Sequence, residues 1–246
     1  MPYGDFDKLA VKFVIKFDIV AESPISIRSG KSFIGPIDNP IIRIRKDGVE
    51  VPYIPGSSLK GVLRGEAERY AKTLGYEVCD VLNPAGENGE LEKKEQLKEK
   101  YQPCIICRIF GGPTLFSHVM VYDAHPKGEN SYSTSVMRRV TINRITAAQM
   151  PGRLFDVEFV NPGSRFEGRI DVENIDILSN ESEEAKIFNY VFSALCKNLL
   201  SIGGMKSVGM GSVKIEGIRV EKYQIKDGRL GVEDATNEYL KRVNLI

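Results

Sequence analysis

The chain has almost no excess of charge: 34 Lys and Arg against 33 Asp and Glu leave +1 over 246 residues. A free-standing nucleic-acid binder usually carries a basic surplus, so any RNA or DNA site here must be a local patch. Histidine is scarce, with His118 and His125 only. No Ser/His/Asp set, Walker loop or dinucleotide fingerprint occurs. No apolar run approaches the ~20 residues of a membrane span. The N-terminus carries Asp5, Asp7 and Lys8 where a signal peptide would have a basic start and an apolar stretch. Cysteine is limited to Cys79, Cys104, Cys107 and Cys196. These absences lead us to expect a cytoplasmic protein with no membrane partner, whose thiols are reduced or metal-bound.

What is present is a 42% hydrophobic content, enough for one large domain with sizeable insertions. Two glycine-bounded, lysine-bearing segments lie at its opposite ends. One is Ile54-Pro55-Gly56-Ser57-Ser58-Leu59-Lys60-Gly61, running into a helical pattern. The other is Gly203-Gly204-Met205-Lys206-Ser207-Val208-Gly209-Met210-Gly211, between a helical and a strand pattern. Each gathers bare backbone N–H groups, hydroxyls and a cation, the chemistry of a phosphate cradle. Together they suggest a surface that tracks a phosphate backbone, contacted by Ser57, Ser58, Lys60, Arg64, Lys206 and Ser207. The plain alternative for Lys60 and Arg64 is a solvated helix face.

Alternation of Val11, Phe13, Ile15, Phe17 and Ile19 with polar residues predicts a half-buried strand. Residues 22–40 are rich in Gly, Pro and Ser and predict a mobile tip at 29–36. Ile41-Ile42 and Val51-Pro52-Tyr53-Ile54 flank a Lys46-Asp47-Gly48 turn and predict a hairpin. A helix follows with Leu59, Val62, Leu63, Ala67, Tyr70, Ala71 and Leu74 on one face, capped by Ser57 or Ser58 and ended by Gly75. Residues 83–102 read as an exposed charged helix or a partly ordered insertion. Strands are expected at 119–122, 154–160, 165–172 and 212–220, with an Asn161-Pro162-Gly163 turn between the second and third. A second long helix is expected over 181–200, with Ala185, Phe188, Val191, Phe192, Leu195 and Leu199 inward. The tail after Lys222 reads as an edge strand or helix. The order strand, helix, strand, strand, helix, strand is that of an α+β, ferredoxin-like core, which is also the plan of RNA-recognition modules. The aromatic stacking signature of those modules is not evident, so binding is expected from loops and insertions.

Two further constellations carry chemistry. Arg138, Arg139 and Arg144 are interleaved with Tyr132, Met137, Val140 and Ile142. Cations grip phosphates while apolar side chains wedge between bases, and Asn143 and Arg144 are the leading RNA contacts there. A solvated insertion with ordinary salt bridges is the alternative. Cys104-x-x-Cys107 has the spacing of a zinc knuckle, and Cys79 could add a third thiolate. His118, Cys196 and Asp80 are open choices for a fourth ligand, and buried core thiols are the rival reading. If bound, Zn²⁺ would be structural and pin the 83–102 insertion.

Four segments together resemble the RAMP superfamily of CRISPR-associated proteins, and most nearly the Csm-type backbone subunit of type III effector complexes. They are Gly35-Pro36-Ile37-Asp38-Asn39-Pro40-Ile41-Ile42-Arg43 with Tyr53–Gly61; Cys104-Ile105-Ile106-Cys107-Arg108-Ile109-Phe110-Gly111; Thr141-Ile142-Asn143-Arg144-Ile145-Thr146 with Gly152-Arg153-Leu154-Phe155-Asp156-Val157-Glu158; and the Gly203–Gly211 loop. The resemblance spans roughly residues 10 to 220. It implies one RAMP domain over 1–246, with a mobile loop near 22–40 acting as a lid, a Cys-containing insertion near 79–115 and a thumb near 123–152. It implies antiviral defence: copies of the chain would stack along a guide CRISPR RNA beside other type III subunits, and a thumb would distort the guide–target duplex. It also implies that Asp38, on a mobile loop, supports cutting of the complementary target RNA. Where such relatives often carry a second acid after the Pro-Ile-Ile-Arg stretch, this chain has Ile44. An ordinary Asp, with a pKa near ~3.9, is a poor base at neutral pH, so a role in holding Mg²⁺ or Mn²⁺ at the scissile phosphate is expected. The alternative for Asp38 is an Asx-type turn before Asn39-Pro40. A non-catalytic RNA-binding scaffold of the same complex is the alternative function. A guide-processing ribonuclease, for which neither histidine is suitably placed, ranks third.

Overall fold

A computed structural model describes residues 8–29, 37–46, 48–80, 82–83, 85–86, 89–97, 102–113, 115–128, 130–179 and 181–246. The expected mobile tip at 29–36 lies, apart from Ser29, outside the described residues. The elements in chain order are β1 (Lys12–Ala21), β2 (Arg43–Lys46), β3 (Val49–Pro52), α1 (Gly56–Thr73), α2 (Glu90–Leu97), α3 (Ile105–Phe110), β4 (Val119–Val121), β5 (His125–Pro126), β6 (Thr134–Ile142), β7 (Gln149–Val160), β8 (Arg165–Glu173), α4 (Glu183–Cys196), β9 (Val213–Lys226), β10 (Arg229–Asp234) and α5 (Thr236–Arg242).

The fold is mixed α/β around an antiparallel sheet. Strand β1 pairs with β8 on one side and β9 on the other; β10 extends the β9 edge, while β4 and β5 pair with β8. Alternation, broken only by the buried Val14, makes β1 two-faced. Phe13, Ile15, Phe17 and Ile19 are buried in the core with α1, α3 and α4. Phe17 meets Phe192 of α4 edge-on at 5.9 Å, and Phe192 packs against the fully buried Tyr239 of α5 at 5.7 Å. Such aromatic pairs add ~0.5–1.5 kcal/mol beyond their burial.

The opposite face of the sheet is a lattice of ion pairs. Lys12 contacts Asp171 at 3.0 Å and Glu173 at 2.9 Å, Arg169 contacts Asp171 at 2.7 Å, and Arg165 contacts Glu216 at 2.9 Å. Burial alone would raise the Asp171 carboxyl, but Arg169 and Lys12 together hold it below its usual range. These charges have their partners within the chain.

Several expectations shift. Ser57 and Ser58 do not cap α1: the cap position is Pro55, with no side-chain hydrogen bond, and both serines lie inside the first turn. Gly75 ends the helix in the left-handed region at φ +86°. Leu74 and Leu199 are exposed rather than inward, because α1 stops at Thr73 and α4 at Cys196. The hairpin arm begins at Arg43, while Ile41 makes an isolated bridge to Arg28. The Arg-rich segment forms a long hairpin in which β6 and β7 pair from Thr134↔Val160 to Ile142↔Gln149. The tail holds both an edge strand and a helix. No described helix is long and apolar enough to cross a membrane.

Candidate nucleic-acid interface and thiol cluster

The two glycine segments, far apart in the chain, meet in space. Ser58, Gly61 and Val62 of α1 face Gly203, Gly204, Met205 and Lys206 across a groove of about 650 Å³, which Arg28 also lines. The approach depends on Gly203, whose φ is +86° and where a Cβ would fall 2.7 Å from the Ser26 carbonyl oxygen. Gly204 N–H donates to that same oxygen at 2.9 Å. Lys206 and Ser207 sit exposed in a short 3-10 turn, Lys206–Val208. At the other end of the segment, Gly56 brings the α1 N-terminus against β4: a Cβ there would lie 2.2 Å from the Val121 carbonyl oxygen, and Gly56 N–H donates to Asp123 Oδ1 at 2.7 Å.

On the far side of α1, Ser57, Lys60 and Arg64 line a second groove of about 510 Å³ with Gly111, Gly112 and Ser117. Gly61 borders both grooves. Lys60 Nζ donates to Ser117 Oγ at 2.8 Å, and burial, helped by the neighbouring Arg64 charge, pushes its ammonium down from 10.5. Arg64 is committed to Glu68 at 3.0 Å and to the Gly111 carbonyl at 2.8 Å. Arg64 therefore braces α3 to α1. Arg28, Lys206 and Lys60 remain as cations lining the grooves. Arg28 escaped the sequence reading as a contact because nothing in its spacing ties it to either glycine segment.

Asp38 is exposed on the stretch before β2 that lies against β7. Its Oδ2 accepts the Asp156 N–H at 2.8 Å. Asn39 binds the Asp156 carbonyl through both its N–H (3.1 Å) and Nδ2 (3.2 Å), and Glu158 N–H donates to the Asn39 carbonyl. Two residues further, Ile41 N–H and the Arg43 guanidinium both donate to the buried Glu158 carboxylate, at 3.1 Å and 2.8 Å. Arg43 pulls the Glu158 carboxyl below its ordinary 4.5, against the opposing effect of burial. The Pro40-Ile41-Ile42-Arg43 stretch and the Asp156-Val157-Glu158 stretch are thus two halves of one clasp.

Breaking this clasp has a calculable sign. Glu158→Ala leaves a partly buried guanidinium unpaired and should cost about 3 kcal/mol, read as a lower denaturant midpoint. Because the folded-state pKa is depressed, the contribution is present above pH 4.5 and lost as pH falls through the folded value. The variant should therefore lose less stability than wild type on acidification below 4.5. Equal acid sensitivity in both would show that the clasp is not formed.

On the β6–β7 hairpin, Arg138 is held by Asp156 through Nε at 2.9 Å and Nη2 at 3.2 Å. Arg139 is half-buried, with its Nε shielded from solvent. Asn143 is used by the hairpin turn: its Oδ1 accepts Ile145 N–H at 2.9 Å, and its N–H donates to the Ala148 carbonyl at 2.8 Å. Arg144 is exposed beside the equally exposed Ile145 at the tip.

Cys79, Cys104 and Cys107 converge, with all three sulfurs within 4.8 Å. Cys79 lies 3.3 Å from Cys104 and 3.1 Å from Cys107. A tetrahedral zinc with ~2.3 Å Zn–S bonds needs sulfurs about 3.8 Å apart, so a shift of a few tenths of an ångström would admit the ion. Contacts with Cys107 and Cys79 push the Cys104 thiol down, and contacts with Cys104 and Cys79 push the Cys107 thiol up. Cys104 also caps α3 by accepting the Cys107 N–H. Among the open choices for a fourth ligand, Asp80 spends Oδ1 on Leu82 N–H, His118 Nδ1 bonds the Glu173 carbonyl, and Cys196 is half-buried near Tyr239 with its thiol pushed up to about 12 by desolvation. None of the three joins the cluster. Glu90 was missed, being read as part of a solvated charged helix. It is fully buried, and at Gly112 a Cβ would strike its Oε2 at 2.1 Å and lie 3.1 Å from Cys107 Sγ. His125 stacks on Tyr53 at 6.0 Å.

A sheet backed by helices on one face thus carries glycine-walled grooves beside α1 and an exposed Asp clasped to a long hairpin. The RAMP superfamily model matches residues 18–214, and the chain belongs to that superfamily. It is also similar to two proteins each named CRISPR system Cms endoribonuclease Csm3. That of Methanocaldococcus jannaschii is 26% identical over 84% of this chain and 82% of its own length. That of Methanothermobacter thermautotrophicus is 28% identical over 87% of each.

Proposed function

We propose that this chain is the guide-RNA-binding backbone subunit of a type III CRISPR interference complex and cleaves the complementary target RNA in a metal-dependent way. The observation that carries this reading is the exposed Asp38 carboxylate, fixed by Asp156 N–H through one oxygen, with its other oxygen taken by no donor among the described residues. Similarity over more than four-fifths of each chain to proteins named as CRISPR endoribonucleases supports it.

In this reading the core is ferredoxin-like. The sheet order β9-β1-β8-β4, with α1 following β1 and α4 following β8, supports that plan. The β6–β7 hairpin is the thumb, the segment around Asp38 is the lid, and further copies of the chain and other type III subunits are the protein partners. Guide RNA runs through the grooves flanking α1. Ser57, Ser58, Lys60, Lys206 and Ser207 would contact its phosphates, with Arg139, Asn143 and Arg144 on the hairpin and Arg64 bracing the groove wall. An exposed carboxylate oxygen such as that of Asp38 suits a hard cation. Mg²⁺ or Mn²⁺ bound there would neutralise charge developing on the scissile phosphate. Ile145 and Ile142, both exposed, would wedge between bases and splay the nucleotide whose 2′-hydroxyl attacks. The three thiols would hold a structural Zn²⁺, with Glu90 a candidate for the fourth position.

The test is reconstitution with guide RNA and a labelled complementary RNA. Regularly spaced cuts that need Mg²⁺ or Mn²⁺ and stop with chelator are expected; binding without cutting would leave the scaffold role. Independently, Lys206→Ala should weaken guide binding across sequences and lower the salt slope by about one phosphate contact. Lys60→Ala should act in the same direction, and unchanged slopes in both would rule out the α1 grooves.

A further inference from the structure

Asp156 stands where the second acid of this site would be sought, but it comes from β7 rather than from the chain after Arg43. Its main chain is fully used by the neighbouring segment, since N–H goes to Asp38 Oδ2 and the carbonyl takes both donors of Asn39. Its side chain does something different. It clamps Arg138, its cross-strand partner in β6, at two points of 2.9 and 3.2 Å. Arg138 is otherwise an exposed, long and mobile cation, with a side chain 67% accessible. Asp38 Oδ2 accepts the main-chain N–H of the same Asp156 whose carboxylate holds Arg138, so the Asp38 carboxylate adjoins this ion pair, and the Arg138 guanidinium is stabilised first by Asp156 and more weakly by Asp38. Planar guanidinium groups favour two-point pairing with carboxylates. Released from Asp156, Arg138 has Asp38 as the next carboxylate at hand. An Arg138–Asp38 pair would cancel the charge that the site offers to RNA-bound cation.

We propose that Asp156 is a positioning residue that keeps Arg138 off Asp38, leaving Asp38 an unpaired anion for the cleavage step. This inference rests on the assignment of target cleavage to Asp38. Asp156→Asn isolates the carboxylate, because every main-chain bond to Asp38 and Asn39 is retained.

The experiment compares Asp156→Asn, Asp156→Glu, Arg138→Gln, the Asp156→Asn/Arg138→Gln double variant and Asp38→Ala in the reconstituted complex. Cleavage rate, the Mg²⁺ concentration for half-maximal cutting, and RNA affinity are measured for each. Asp156→Asn should slow cutting about tenfold and raise the Mg²⁺ requirement, with RNA affinity unchanged. Asp156→Glu should recover most of the loss. In the Arg138→Gln background the same Asp156→Asn change should have no further effect, since the competing cation is gone. Wild-type rate and Mg²⁺ dependence in Asp156→Asn would overturn the proposal. So would an equal loss from Asp156→Asn with and without Arg138. Full cutting by Asp38→Ala would instead remove the assignment of Asp38 itself, a failure distinguishable from the other two.

Discussion

Asp38→Ala should reduce target-RNA cutting by about a hundredfold or more, while the affinity for guide and target RNA stays within about twofold of wild type. The separation follows from where the residue sits. Among the described residues, the Asp38 side chain accepts one hydrogen bond, from Asp156 N–H. Asn39 keeps its two donors on the Asp156 carbonyl, and Arg43 keeps Glu158. The segment therefore stays docked when the carboxylate is gone. The grooves proposed to hold RNA are lined by α1 and by Gly203–Lys206, not by Asp38. At neutral pH an ordinary Asp is already ionised, so its contribution is charge and cation binding rather than proton removal. Asp38→Cys adds a second readout: a thiolate favours softer metals, so it should regain more activity with Mn²⁺ than with Mg²⁺. Equal cutting by wild type and Asp38→Ala would make the chain an RNA-organising scaffold and place any nuclease in another subunit.

The sequence carried the elements whose signal is local. Five alternating apolar positions from Val11 to Ile19 sufficed for β1, and two 3.6-residue stripes sufficed for α1 and α4. Errors arose at the ends, where the stripe was run one residue past α1 to Leu74 and three past α4 to Leu199. The β6 arm was hidden because both of its faces meet solvent, so Val136, Met137 and Val140 are exposed and no buried side sets a period of two. Helix α3 was masked by the Cys-x-x-Cys spacing that it contains.

What no spacing could reveal is long-range. The two glycine segments could be recognised separately as anion-suited, yet nothing in the order of residues says that they share a groove. The Asp38–Arg43 stretch and Asp156–Glu158 lie more than a hundred residues apart. The motif resemblance named both, but their clasp emerges only when β7 is laid beside the loop. Glu90 is a similar case: a charge-rich run reads as solvated, and only the packing of α2 against Gly112 and the thiols buries that one carboxylate.

The thiol cluster leads to the other large expected effect. Purified chain should carry about one zinc, and Cys107→Ser should abolish it. Cys107 is fully buried and touches both partner sulfurs through Cys79 and the Cys104 cap. Its loss leaves two thiols, too few to hold the ion, and removes the sulfur that Cys79 Sγ approaches at 3.1 Å and Arg64 Nη2 at 3.6 Å. At metal concentrations about a thousandfold above the dissociation constant, bound zinc stabilises the folded state by about 4 kcal/mol. Wild type should therefore melt substantially lower in a strong chelator, while Cys107→Ser melts low with or without it. Cys196→Ser is the matched control: its thiol lies by Tyr239, outside the cluster, so zinc content should be unchanged. Acid should also strip the metal, because the ligating thiolates must take protons as pH falls. The clasp around Glu158 weakens below pH 4.5 as well, so the acid experiment needs the Glu158→Ala variant to separate metal loss from clasp opening. Metal-free wild type whose melting ignores chelator would return Cys79, Cys104 and Cys107 to the role of core thiols. The α2–α3 insertion would then be held by Arg64 and Arg108, which bind the Gly111 carbonyl and Glu184, rather than by an ion.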